Sequence, residues 1–431
     1  MLSVFRNMFR IADLRAKILF TLGIFALYRL GAAVPVPGVD LDRIQLAANQ
    51  AQQAGVVGLL NLFSGGALEQ LSVFSLGILP YITASIIMQL LAVVIPKLQA
   101  LQDEGESGRK VITQWTRYLT VGLALLQSTG LTFLMHNGQL LGLDVIPEYT
   151  PRRVLIIVIT MTAGTAVIMW LGELITQRGI GNGMSLIIFV SIVSQLPSQF
   201  STVYVNSNII EFSSVVLLMF VLTVGIIYVD QAQRRIPIQF SRRVRGRKVL
   251  GGQSTYIPMK VNMAGVIPVI FATSILYFPA LISTSIPWQG LQDFVERYLV
   301  QSGSQGGFSP TLPYIIFLGA LVVFFTFFYT AIQFDPERQA EQIQRQGGFV
   351  PGIRPGRATV RHLEHILSRI TFPGSMYLAF VAIAPSLLGW LLNIPVGLSG
   401  ISILIVAGVA LETMKQIESQ LMMRNYEGFL S

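Results

Sequence analysis

The sequence predicts an all-α polytopic membrane protein, and two observations lead to this fold class. Hydrophobic residues make up 52% of the 431 positions and charged residues only 12%, far from the usage of soluble domains. Apolar runs of about 20 residues, the length that crosses a bilayer, recur along the chain. Cysteine is absent, which excludes disulfide frameworks, thiol catalysis and cysteine-ligated metals. We therefore expect about ten transmembrane helices and no large soluble domain.

Ten apolar runs are long enough to be spans. They lie near residues 18–34, 74–95, 112–135, 153–172, 183–200, 211–229, 263–286, 313–332, 371–392 and 398–414. Of the 30 lysines and arginines, 25 fall in the termini and in every second connecting segment, whereas 4 fall in the alternate segments. The positive-inside rule therefore places both termini in the cytoplasm.

The spans divide into two halves, residues 1–210 and 211–431. Because each half contains five spans, the second half enters the membrane with the opposite orientation, as in an inverted repeat. A short internal match, beginning at Gly77 and at Gly265, supports this division and pairs Ile82 with Ile270. A match of about ten residues can also arise by chance.

Residues 56–95 form one apolar stretch about twice as long as a span, with no real loop inside it. We interpret residues 57–71 as a short re-entrant half-helix folded into a central cavity. Backbone that is not a full span is tolerated at membrane depth only where protein surrounds it or where it lines a cavity. The alternative is a surface helix that lies on the outer leaflet.

The spans carry little that could support chemistry. No carboxylate or histidine lies in the middle of a span, which disfavours an ion-coupled secondary transporter, the main alternative for an inverted repeat. Arg29 is the one charge well inside a run, and we expect it to extend outward from its position near Pro35. The G-x-S-G pattern at 397–400 resembles that of intramembrane serine proteases, but no histidine follows it. His362 and His365 lack the spacing of zinc helix motifs, so we expect neither an enzyme nor a metal or cofactor.

Two predicted cytoplasmic loops, 230–262 and 333–371, are long and rich in positive charge. Residues 234–248 of the first contain seven lysines and arginines, a density that suits acidic or phosphate-rich partners. The positive-inside rule would explain much of this charge as well. Glycines and prolines of 347–356 in the second loop impose a fixed turn that aims Arg354 outward.

Several long motifs, in the same order, resemble those of the bacterial SecY family, whose members form the centre of the Sec protein-conducting channel. The motifs are residues 63–91, 178–189, 253–272, 347–356 and 422–430. The resemblance implies a clamshell of two inverted five-helix halves, an hourglass pore, a plug helix after the first span and a lateral gate. The gate would lie between spans 2 and 3 on one side and spans 7 and 8 on the other.

The resemblance also implies what the protein does and which molecules it meets. A member of this family translocates unfolded preproteins across the bacterial inner membrane and inserts hydrophobic segments into it. Its expected partners are SecE-like and SecG-like membrane subunits, the SecA motor, the ribosome with its RNA, signal sequences of preproteins and the lipid bilayer.

Residue by residue, the resemblance assigns four sets of sites. The alternative for any single isoleucine among them is an ordinary packing residue. The pore ring falls on Ile78, Ile82, Ile188, Ile270, Phe278 and Ile405. The plug includes Leu60, Asn61, Phe63, Ser64, Gly65 and Gly66. The lateral gate includes Thr83, Gln89, Gln127, Asn262 and Phe278, and its amides are expected to bond across helices. The docking residues for SecA and the ribosome are Arg242, Arg243, Arg245, Arg247, Lys248, Arg354 and Arg357.

Overall fold

An α-helix covers most of each of the ten predicted spans in the computed structural model of the chain. The structure describes residues 11–40, 63–136, 145–146, 149–240, 243–245, 248–250, 254–285, 290, 294–295, 298–299, 312–392 and 400–427. In chain order the helices are α1 Ala12–Ala33, α2 Leu79–Val94, α3 Pro96–Asp103, α4 Glu106–His136, α5 Pro151–Arg178, α6 Gly183–Asn206, α7 Ile209–Gln231, α8 Ile267–Ser285, α9 Leu312–Gln333, α10 Pro336–Arg345, α11 Arg357–Leu392 and α12 Gly400–Glu427. The two short helices α3 and α10 were not predicted.

Local sequence signals explain several of these boundaries. The side chain of Asn182 caps α6 by accepting hydrogen bonds from the amides of Met184 and Ser185. A capping box formed by Asn208 and Glu211 starts α7. Helix α2 ends at Val94 because Ile95 precedes a proline and is extended.

Length and composition agree with a multi-pass membrane protein. Eight helices in the described part of the chain are long and apolar enough to cross a bilayer. Helix α2 passes the same test together with α3, from which it is bent by 105°. Helix α8 adds a further apolar segment of 19 residues. At 36 residues α11 is about 54 Å long, so it extends well beyond a hydrocarbon layer of about 30 Å.

Helix contacts follow the division into two five-helix halves. In the first half α5 packs against α1, α4 and α6, and α2 packs against α4. In the second half α11 packs against α7, α8, α9 and α12. The halves meet where α6 contacts α7 and α12, and also where α4 contacts α8. The last contact joins span 3 to span 7.

A small antiparallel sheet joins the two predicted cytoplasmic loops, a feature that the sequence analysis did not anticipate. Strand β1 Gln233–Phe240 pairs with β4 Ser254–Lys260, with Ile236 opposite Ile257. Strands β2 Arg243–Arg245 and β3 Lys248–Leu250 pair with each other in a separate two-stranded sheet. Strand β5 Gly348–Phe349, from the second loop, pairs with the end of β1. Under the sheet lies an apolar cluster with residues from α10 and α11. The two loops therefore form one structural unit.

Candidate functional site

A segment without regular structure, residues 63–78, lies inside the helix bundle and is here called the re-entrant segment. Apart from a helical start at Phe63 and Ser64, it consists mainly of turns as far as α2. The side chains of Phe63, Ala67, Leu68 and Leu71 are at most 2% exposed. This burial agrees with the re-entrant interpretation and not with a helix on the membrane surface, but residues 65–71 form turns where the sequence analysis expected a half-helix. Residues 57–62 of the predicted half-helix, including Leu60 and Asn61, lie outside the described residues.

Two neighbouring side chains of α1 bond the start of the re-entrant segment to α6. The hydroxyl of Tyr28 donates to the carbonyl of Ser64 at 3.0 Å and lies 2.6 Å from Oγ of Ser191. Nη1 of Arg29 donates to the carbonyl of Gly65 at 2.9 Å and to Oγ of Ser194 at 2.8 Å. The guanidinium therefore binds protein groups, whereas the sequence analysis expected it only to extend outward.

Backbone bonds fix the other end of the segment. The amide of Val36 donates to the carbonyl of Leu71 at 2.9 Å, and the amide of Val73 donates to the carbonyl of Val34 at 2.8 Å. The ring of Phe74 stacks on that of Tyr28 with centroids 5.8 Å apart. The strand-like contact and the stacked rings hold the segment along the end of α1.

Two glycines allow the segment to pack this closely. A Cβ at Gly65 would lie 3.1 Å from the Cα of Ser191, and the φ of +68° at Gly65 is in the left-handed region. At Gly77, with φ +57°, a Cβ would lie 2.9 Å from the Cα of Ser64. A larger residue at Gly65 would press against α6, and one at Gly77 would clash with the start of the segment itself.

Five of the six predicted pore-ring positions lie on four helices, Ile78 lies just before α2, and all except Phe278 contribute to one apolar core. Ile78, Ile188 and Ile405 are buried, with 1%, 5% and 1% of each residue exposed. Ile82 and Ile270 are half-buried and pack against the same core, which also contains the apolar side chains of the re-entrant segment. Phe278 lies in α8, and its side chain is outside the described part.

The predicted gate residues make local contacts. Thr83 is buried, and its hydroxyl donates to the carbonyl of Leu79 in the same helix at 3.0 Å. The amide of Gln89 reaches Ser85 of its own helix at 3.5 Å. Asn262 lies before α8 begins and donates to the carbonyl of Gly265 at 3.2 Å. Gln89 and Asn262 therefore bond locally and not, as had been expected, across helices. Gln127 is buried in α4.

The two predicted docking residues of the second loop are exposed. Arg354 lies in the turn before α11, and Arg357 is the first residue of that helix. Glycines with φ of +81° at Gly352 and +102° at Gly356 form the turn. The hydroxyl of Thr359 donates to the carbonyl of Arg354 at 3.1 Å and steadies it.

The basic residues of the first loop can be located only in part. Arg243 and Arg245 lie in β2, and Lys248 lies in β3. The side chains of these three residues are outside the described part of the chain. Arg242 and Arg247 lie outside the described residues altogether.

Two ionic contacts between helices were missed by the sequence analysis, and one of them joins Lys415 of α12 to Asp230 of α7 at 2.9 Å. In the other, Arg117 of α4 donates to both carboxylate oxygens of Glu173 on α5, at 2.6 and 2.7 Å. Because both oxygens of the Glu173 carboxylate bind Arg117, Glu173 has a structural role as the partner of this arginine. Within the described residues no group of three or more histidines and carboxylates could hold a metal ion.

These features define a polytopic α-helical membrane protein with two packed halves and a buried re-entrant segment. A family model described as SecY matches residues 72–414. The chain is 50% identical to the protein translocase subunit SecY of Streptomyces coelicolor, with full coverage of both sequences. The chain therefore belongs to the SecY family.

Solved structures share the fold. One describes the plug domain of SecY, which stabilises the closed state of its translocation channel and maintains a membrane seal (TM-score 0.60, 17% identity, 94% of this chain and 92% of that one covered). Another is Sec61 in the canine ribosome-channel complex from the endoplasmic reticulum (TM-score 0.59, 16% identity, the same coverage). At these identities the likeness concerns the fold.

Proposed function

We propose that this chain is the protein-conducting channel of a bacterial inner membrane, with both termini in the cytoplasm. It moves unfolded preproteins across the bilayer and releases hydrophobic segments sideways into lipid. The observation that carries the proposal is the re-entrant segment, which is buried in the same apolar core as the ring isoleucines. A bundle that only spanned the membrane would not need such a segment at its centre.

The closed channel is sealed by the pore ring and by the plug, residues 57–71. Bulky apolar side chains offer an ion no replacement for its hydration shell, so the constriction excludes water and ions. Isoleucine side chains can also move apart around a passing segment. The plug domain of the related SecY channel maintains a membrane seal, which supports the same role here.

Replacement of Ile405 by asparagine should open the seal. A buried amide without a partner would destabilise the closed state by about 1–3 kcal/mol, so export of a preprotein with a defective signal sequence should rise by about tenfold. The measurement combines ion leak in proteoliposomes with export of that preprotein.

The matched control for this variant is Leu404→Asn. Leu404 is as buried as Ile405, at 1%, but lies at the next position of α12, on another face of the helix. Leak and signal-independent export that stay at the wild-type level in Ile405→Asn, or that rise equally in Leu404→Asn, would reject the ring assignment.

The lateral gate lies where the two halves meet beside α2, α4, α8 and α9. The contact between α4 and α8 supports this position, because it joins the halves away from the α6 and α12 contact. Thr83 on α2 and Phe278 on α8 would face each other across the gate when it is closed.

Cysteines at Thr83 and Phe278 should form a disulfide in the closed channel, which requires Cα atoms within about 7 Å. The chain has no cysteine of its own, so each single variant is a clean control. Oxidation should abolish export and reduction should restore it, as measured by preprotein translocation. Complete crosslinking with full export would contradict this position of the gate.

The sheet and the turn around Arg354 form the docking surface for the SecA motor and the ribosome. Exposed arginines on a rigid turn suit an acidic protein surface or ribosomal RNA. That surface draws residues from both cytoplasmic loops, since β5 pairs with β1. The related Sec61 channel occurs in a complex with the ribosome, which supports ribosome docking here. In the proposed assembly, SecE-like and SecG-like subunits accompany this chain in the membrane.

The variant Arg354→Glu should reduce SecA-driven export at least about tenfold without unfolding the protein, because reversed charge at a docking point costs several kcal/mol. Arg345→Glu is the matched control, since the Arg345 side chain is 81% exposed on α10 and undergoes the same change of charge. Export is measured with purified SecA and inverted membrane vesicles. Normal export by Arg354→Glu would count against docking at this turn.

A further inference from the structure

The contacts of Tyr28 and Arg29 suggest a role that the family assignment does not give these residues. We propose that they are positioning residues that hold the plug closed by binding the start of the re-entrant segment to α6. We call the four contacts among Tyr28, Arg29, Ser64–Gly65, Ser191 and Ser194 the plug latch. The proposal rests on the proposed channel function, because it gives that function a built-in lock.

Each latch contact matches a hydrogen-bond donor with an acceptor. One guanidinium nitrogen donates both to the carbonyl of Gly65 and to Oγ of Ser194. Ser194 uses its own proton to donate to the carbonyl of Ser191 at 2.7 Å, so its oxygen is available as an acceptor. A bond from a charged donor is stronger than one between neutral groups, which suits a contact on the exposed side of α1.

The position of the latch connects it to the pore ring. Ser191 follows Ile188 by three residues on α6, so the two side chains lie on one face of the helix. Tyr28 and Ser191 are buried, as are Ser64 and Ile188. A segment that displaces Ile188 therefore also acts on the turn of α6 to which the plug is bound.

All residues of the latch belong to the first half of the chain. Parting of α4 from α8 at the gate would therefore leave the latch intact, and the plug would stay with α1 and α6 until the latch itself breaks. This arrangement makes the latch a control on the plug that is separate from the lateral gate.

Removal of single latch groups tests the proposal. Tyr28→Phe deletes a hydroxyl without changing the ring, and Arg29→Gln deletes the charge. Loss of one such bond shifts the balance between closed and released plug by about fivefold to tenfold, so ion leak and export of a signal-defective preprotein should rise by that factor. Arg29→Lys, which keeps the charge, should restore part of the seal. Export of an intact preprotein should be unchanged.

Two controls separate the latch from general stability. Tyr377→Phe removes a buried hydroxyl that has no hydrogen-bond partner in the described residues, and Arg152→Gln removes an exposed charge at the start of α5. Neither control should leak. If Arg29→Gln fails to accumulate, Ser194→Ala, which removes the acceptor on α6, replaces it in the comparison.

Ile405→Asn is measured in parallel to distinguish the two hypotheses. Leak in the latch variants and in Ile405→Asn, but not in the controls, supports the latch. Leak in Ile405→Asn together with wild-type behaviour of Tyr28→Phe, Arg29→Gln and Ser194→Ala would overturn the latch and leave the channel function in place. Leak in both the latch variants and the controls would also overturn it, since the effect would then reflect loss of stability.

Discussion

The need to satisfy backbone hydrogen bonds away from water governs the centre of this molecule. The re-entrant segment is not a full helix, so its carbonyls and amides cannot all bond within it. The end of α1 supplies the missing partners: Tyr28 and Arg29 bind the carbonyls of residues 64 and 65, and the backbone of residues 34–36 binds that of 71–73. Each unmade bond at this depth would cost about 1–3 kcal/mol, so the segment and α1 stabilise each other.

Close packing is the second requirement, and it restricts which residues the centre can contain. At Gly164 of α5 an added Cβ would overlap the carbonyl of Val73, and at Gly31 of α1 it would overlap the ring of Phe74. Glycines at these contacts let α1 and α5 approach the turns of the re-entrant segment closely. The isoleucines then close the remaining space around the segment. Close packing and hydrogen bonds, including one from the Arg29 guanidinium, therefore hold the re-entrant segment in the bundle.

The sequence predicted the membrane-spanning helices well because composition leaves few alternatives for an apolar run of about 20 residues. It also predicted that 57–71 could not be a span, since 56–95 has room for no loop. The partners of Tyr28 were beyond its reach, because the contact to Ser191 joins residues 163 positions apart. The sheet was missed although β1 carries a signal for it: Ile236 and Ile238 are buried while Arg235 and Pro237 are exposed, a period of two. The high charge of the loop obscured that pattern.

Access of water to the re-entrant segment is the most direct test of this account. Ala67 is 1% exposed, and a cysteine placed there would be the only thiol in the chain. A membrane-impermeant maleimide added from the outer side should leave Ala67→Cys unlabelled in the resting channel and label it once a stalled preprotein occupies the pore. A cysteine in place of Arg152 should label in both states. Equal labelling of Ala67→Cys at rest and during translocation would contradict a plug that is buried when the channel is closed.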